Sequence, residues 1–168
     1  MPLKVVSYWC LPREEDAAAC AAVIGALAAA QGAPVFVPHL TLATLTVGAR
    51  DLSAVTQVLR GLALTPLGLD GNGVFTTSLF VRFAPSDQLL AARRRMEALP
   101  DFRKGRAFDP HISLCYGPPP DLEAQRGAIA ALLSRPMRFD RLAAVELFLP
   151  VETYEDVAGW TVRESWKF

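Results

Sequence analysis

Pro38-His39-Leu40-Thr41-Leu42 and Pro110-His111-Ile112-Ser113-Leu114 are two copies of one pattern: proline, histidine, an aliphatic residue, a hydroxyl residue and leucine. They contain both histidines of the 168-residue chain. Side chains in a strand alternate between faces, so His39 shares a face with Thr41, and His111 with Ser113, while the aliphatic residues point the other way. Each copy therefore offers one imidazole and one hydroxyl on a common surface.

Outward from the first copy, Leu3 to Leu11 reads as a strand, Arg13 to Ala30 as a helix with acidic residues in its first turn, and Val35 to Leu45 as a second strand. A short helix capped by Asp51 or Ser53 runs to Arg60, and a strand from Leu62 to Leu69 leads into the turn Asp70-Gly71-Asn72-Gly73. The order then repeats. Val74 to Phe83 reads as a strand, Pro85-Ser86-Asp87 opens a helix to Leu99, and a polar loop leads to the strand His111 to Tyr116. Asp121 caps a helix to Ser134, and strands follow at Met137 to Leu149 and Trp160 to Phe168. Leu11 precedes His39 by 28 residues and Ala84 precedes His111 by 27, so each histidine occupies the same place in its own repeat.

This pattern predicts an α+β protein with a duplicated two-lobe fold, in which two mainly antiparallel sheets face a central cleft with helices on the outside. One domain is expected over residues 1–168, with pseudo-symmetric lobes of roughly 1–72 and 73–168 between which strands can be exchanged. The cleft is the expected site.

Opening a cyclic phosphate requires a base to take a proton from the attacking water and an acid to protonate the departing ribose oxygen. Imidazole, with an unperturbed pKa of about 6.5, serves either purpose near neutrality. The hydroxyls of Thr41 and Ser113 would donate to the non-bridging oxygens, where negative charge grows. A zinc site would need further ligands, and neither H-x-H nor H-E-x-x-H is present, so no metal and no cofactor are expected. A Cys-His hydrolase built on Cys115 is disfavoured because that residue is four positions from His111 on one strand. Gly71-Asn72-Gly73 matches no phosphate loop and reads as a hairpin turn.

Seventeen Lys and Arg balance seventeen Asp and Glu, which gives no global field for holding long nucleic acid. Cys10, Cys20 and Cys115 show no C-x-x-C spacing and no secretory start precedes them, so a reduced, cytoplasmic setting is expected. The alanine-rich stretch Ala17 to Ala30 is too short and too weakly apolar to span a membrane. Arg93-Arg94-Arg95 is expected on an outward helix face, whereas Lys104 and Arg106 are better placed to meet a substrate phosphate. Trp9, on the strand face shared by Ser7 and Leu11, could offer a base a stacking surface, although a strand tryptophan more often packs in the core.

The paired H-x-[Thr/Ser]-x motifs in a duplicated chain resemble the two-histidine (2H) phosphoesterase superfamily. Ser7-Tyr8-Trp9-Cys10-Leu11-Pro12, Phe36-Val37-Pro38-His39-Leu40-Thr41 and His111-Ile112-Ser113-Leu114-Cys115-Tyr116-Gly117 are similar to its plant and yeast cyclic phosphodiesterase branch. The resemblance implies metal-independent hydrolysis of nucleoside 2′,3′-cyclic phosphates or ADP-ribose 1″,2″-cyclic phosphate, with His39 and His111 catalytic and Thr41 and Ser113 holding phosphate. It also implies that Tyr116 contacts substrate, although strand parity would put Tyr116 opposite His111 unless the chain turns at Gly117. The cysteines that plant members use in disulfides have no clear counterparts. The expected partner is a small cyclic nucleotide or ADP-ribose phosphate as substrate, or RNA ends, with no membrane, and the chain is expected to be a monomer. The alternatives are RNA 2′-5′ ligation or RNA-end processing, and a nucleotide-binding module without turnover.

Overall fold

The computed structural model describes residues 1–48 and 51–168. Its strands are β1 (Leu3–Pro12), β2 (Leu40–Leu45), β3 (Ala63–Leu64), β4 (Pro66–Asp70), β5 (Leu79–Phe83), β6 (His111–Cys115), β7 (Met137–Leu149) and β8 (Thr161–Lys167). The helices are α1 (Glu14–Gln31), α2 (Ser53–Leu59), α3 (Asp87–Glu97), α4 (Arg126–Leu133) and α5 (Tyr154–Ala158). The class is α+β, as expected, and every strand pairing is antiparallel.

The strands form one path, β3-β7-β1-β2-β6-β5-β4, with β8 added to β7. The two histidine strands sit side by side in its middle, joined by the single pair Leu40↔Ile112. The two expected sheets are thus two arms meeting at a narrow seam. Each arm takes in a strand from the other half of the chain, since β7 pairs with β1 and β4 pairs with β5. Thr65 alone separates β3 from β4 at opposite ends of the path, so the sheet's two edges come together there.

Helices cross over in the same reciprocal way: α1 packs on β6 and α3 packs on β2. Polar ties repeat the exchange. Gln31 at the end of α1 donates to the Pro118 carbonyl beyond β6 at 2.9 Å, and Arg93 of α3 donates to the Leu42 carbonyl of β2 at 2.6 Å. Beneath the helices lies the main core, which includes Cys20, Ile24 and Leu27 from α1, Leu89 and Met96 from α3, and Leu40, Leu42, Ile112 and Leu114 from the seam strands. A smaller cluster of Val5, Trp9, Ala143, Val145 and Leu147 is buried on the opposite face of β1 and β7.

Several boundaries depart from the sequence reading for identifiable reasons. Regular pairing in β2 begins only at Leu40, because Pro34 and Pro38 cannot donate to a ladder. The strand expected from Val74 starts at Leu79. Before it, the Asn72 side-chain oxygen accepts from the Val74 amide and the Thr77 hydroxyl, winding Phe75–Thr77 into a 3-10 turn. Helix α5, not anticipated, is capped reciprocally by Thr153 and Asp156. Arg94 and Arg95 face outward, but Arg93 does not: besides its bond to Leu42 it pairs with Glu97 and lies over the rings of Phe102 and Phe108.

Candidate active site

Leu40 and Ile112 are fully buried against the helices, so their neighbours in each motif face the other side of the seam. The antiparallel register of that one pair sets His39 abreast of Ser113 and Thr41 abreast of His111. All four line a single cleft of about 420 Å³, together with Trp9, Thr44, Thr76, Arg106, Tyr116 and Trp160.

Both imidazoles are held alike. His39 Nδ1 lies 2.6 Å from the Val37 carbonyl and His111 Nδ1 lies 2.7 Å from the Asp109 carbonyl, in each case two residues back along the chain. A carbonyl can only accept, so Nδ1 carries the proton in both rings. In the neutral form, Nε2 is then left with its lone pair for proton transfer.

Their surroundings differ. His39 is 8% exposed, stacked face to face on Trp9 at 3.6 Å and flanked edge-on by Phe36 and Trp160. Burial pushes its pKa from the ordinary 6.5 down to about 4, opposed by the bond with the Val37 carbonyl and helped by the nearby His111. His111 is only half-buried, with the Phe80 ring tilted against it at 4.9 Å. Arg82, directly across from His111 in the β5–β6 register, binds the Asp109 carboxylate at 2.9 Å and Asp70 at 2.6 Å.

The hydroxyls differ in the opposite sense. Thr41 is exposed, whereas Ser113 is 6% exposed and donates to the Thr76 carbonyl at 2.9 Å. The cleft therefore has a deep row, His39 with Ser113, and a rim row, Thr41 with His111.

Tyr116 also reaches the cleft. The strand ends at Cys115 and Gly117 turns the chain with φ 89°, which removes the parity objection; a Cβ there would stand 2.5 Å from the Tyr154 hydroxyl. Burial raises the Tyr116 phenol above its ordinary range, opposed by a hydrogen bond with Ser113. Trp9 lines the cleft as well, but it is 2% exposed and His39 occupies its ring face. Arg106 lies at the rim, while Lys104 lines a neighbouring hollow with Arg93, Glu97 and Phe102.

Besides the apolar wall of Leu147, Leu149, Val151 and Trp160, three hydroxyl residues of the cleft escaped the sequence reading. Thr44 faces the cleft because the register jumps from Tyr8↔Ala43 to Trp9↔Thr41, a bulge at Leu42 that reverses the strand parity beyond it. Thr76 and Thr77 enter through the 3-10 turn. Among the described residues, no group of three or more His, Cys, Asp or Glu could hold a metal ion, and no helix is long and apolar enough to cross a membrane.

Residues 16–147 match the family model of the 2′-5′ RNA ligase superfamily. The fold is similar to that of LigT of E. coli. Its apo crystal structure gives a TM-score of 0.52 at 18% identity, covering 99% of this chain and 98% of that one. The LigT complex with NADP+ gives 0.51 at 18% identity, with 99% and 98% covered, and the complex with 3′-AMP gives 0.50 at 19% identity, with 98% of each covered. No curated protein is matched by sequence.

Proposed function

Because this chain belongs to the 2′-5′ RNA ligase superfamily of two-histidine phosphoesterases, we propose that it hydrolyses a cyclic phosphate of the nucleoside 2′,3′- or ADP-ribose 1″,2″- kind. The carrying observation is that two Nδ1-anchored imidazoles meet in one cleft, each abreast of a hydroxyl from the other motif. One Nε2 takes a proton from the attacking water as its oxygen bonds to phosphorus. The other, protonated, gives its proton to the ribose oxygen as the P–O bond breaks. Thr41 and Ser113 donate to the non-bridging oxygens, Ser113 by turning its hydroxyl from the Thr76 carbonyl. Tyr116 lies beside that oxyanion position, and Arg106 meets the phosphate at the rim. The 3′-AMP bound by LigT supports a nucleotide ligand. Cys10, Cys20 and Cys115 are free, in keeping with a reduced cytoplasmic setting.

A second reading, the processing or 2′-5′ joining of RNA ends, is favoured by charge placement. Residues 82–110 hold seven Lys and Arg against four Asp and Glu, leaving ten against thirteen elsewhere, so the balanced total conceals a basic segment. That segment borders a second hollow of about 290 Å³, lined by Thr41, Phe80, Arg82, Arg106, Phe108 and His111, which continues the cleft beyond the rim row.

The test is incubation with ADP-ribose cyclic phosphate, the nucleoside 2′,3′-cyclic phosphates and a 2′-5′ linked dinucleotide, with products identified by ³¹P NMR. Ring opening of cyclic phosphates supports the first reading, and action confined to the linked dinucleotide supports the second. Binding without turnover would leave a nucleotide-binding module and defeat both.

A further inference from the structure

We infer that Trp9 and Phe80, which lie outside both histidine motifs, are a duplicated pair of positioning residues, each fixing the imidazole of its own half. The inference rests on reading His39 and His111 as the proton-transfer pair.

The equivalence of the two aromatics comes from strand register. Trp9 pairs with Thr41 and Phe80 pairs with Ser113, so each stands opposite the hydroxyl residue of its own motif. Each pairing is followed by the same irregularity. Tyr8↔Ala43 skips Leu42, and Leu79↔Cys115 skips Leu114. The duplication thus preserved the bulge together with the ring beside it.

A geometric need explains the pair. The carbonyl two residues back fixes Nδ1, but one hydrogen bond leaves the ring free to swing about that atom. An aromatic surface against the imidazole removes the remaining freedom and keeps Nε2 aimed at the phosphate, where small misplacements are costly. Trp9 is held in turn by its indole N–H, which donates to Ser7 Oγ at 2.9 Å, and by Trp160 edge-on at 5.2 Å. Phe80 is 3% exposed and lies under the Arg82 guanidinium at 5.4 Å. Arg82 grips the side chain of Asp109, whose carbonyl anchors His111. With His39 against its face, Trp9 has little surface left for a substrate base.

The chain's two histidines make the test direct. Imidazole ¹⁵N spectra of the whole protein contain only two ring systems, assigned by a His111→Gln variant. In the wild type both neutral rings should carry the proton on Nδ1. Trp9→Leu is expected to mix the tautomers of His39 or broaden its resonances while sparing His111, and Phe80→Leu to do the reverse. With a nucleoside 2′,3′-cyclic phosphate, each should lower kcat about tenfold or more, with KM within about twofold. Trp9→Phe should recover most of the loss. Unchanged imidazole spectra in both leucine variants, or a rise in KM at constant kcat, would overturn the inference. If Trp9→Leu does not fold, Ser7→Ala, which releases the indole, carries the same expectation at smaller size, and an unaltered His39 spectrum there counts against it. A wild type that turns over no cyclic phosphate would defeat the proposed substrate while leaving the spectral result to stand or fall alone.

Discussion

The two halves build the same parts and place them at different depths. In the first, the histidine is buried and the hydroxyl exposed; in the second, the hydroxyl is buried and the histidine half-exposed. Because the motifs run antiparallel across the seam, these opposite choices align, so that the buried histidine and buried hydroxyl form one row and the accessible pair the other. The duplicated motifs anchor the two imidazoles alike, and burial then distinguishes two groups that the motifs leave equivalent.

The largest effect expected from breaking this arrangement is on turnover. His39→Ala and His111→Ala should each lower kcat for a cyclic phosphate by about 10²–10⁴-fold. Thermal melts should separate them, since His39→Ala opens a void among Phe36, Trp9 and Trp160, whereas the rim change at His111 should shift stability by no more than about 0.5 kcal/mol. Substantial turnover in either variant would break the symmetry of function.

Acid stability should reveal the deep histidine. With its pKa depressed from 6.5 to about 4, folded His39 resists a proton that the unfolded chain accepts. Its contribution is fully present above pH 6.5, declines as the pH falls through that interval, and changes no further below about 4. The slope is about 1.4 kcal/mol per pH unit and the total on the order of 3 kcal/mol at most. Denaturant midpoints of wild type and His39→Gln across that range should converge as acid is added. Parallel curves would mean that His39 is solvated.

The hydroxyls offer a smaller contrast. Ser113→Ala strands the Thr76 carbonyl and should cost about 1–3 kcal/mol of stability as well as activity. Thr41→Val, at an exposed position, should lower kcat on the order of 10²-fold with little change in urea midpoint. Equal loss of stability in both would erase the distinction between rows. The smallest effect is expected from Arg106→Gln: a severalfold rise in KM that shrinks with added salt.

The motifs, their repeat and most of β1, α1, α3 and β7 were legible because each depends on local alternation or helix-forming composition. Cleft membership was less so. Thr44 requires knowing that Leu42 is bulged, a property of the pairing with β1 and not of β2 alone. Tyr116 required the turn at Gly117, and the relation of Trp9 to His39 required the register that sets them together. The capping pair Thr153 and Asp156 was a local signal for α5 that the reading passed over. Net charge hid a basic segment because it averages over the whole surface.

With α1 packed on β6 and α3 on β2, each histidine strand is backed by a helix from the other half of the chain. A half expressed alone would carry its own motif while lacking the buttress behind it. The same crossing predicts that damage travels diagonally. Truncating buried core residues of α1 should loosen β6, which carries His111, and truncating those of α3 should loosen β2, which follows His39, each far along the sequence from the helix behind it.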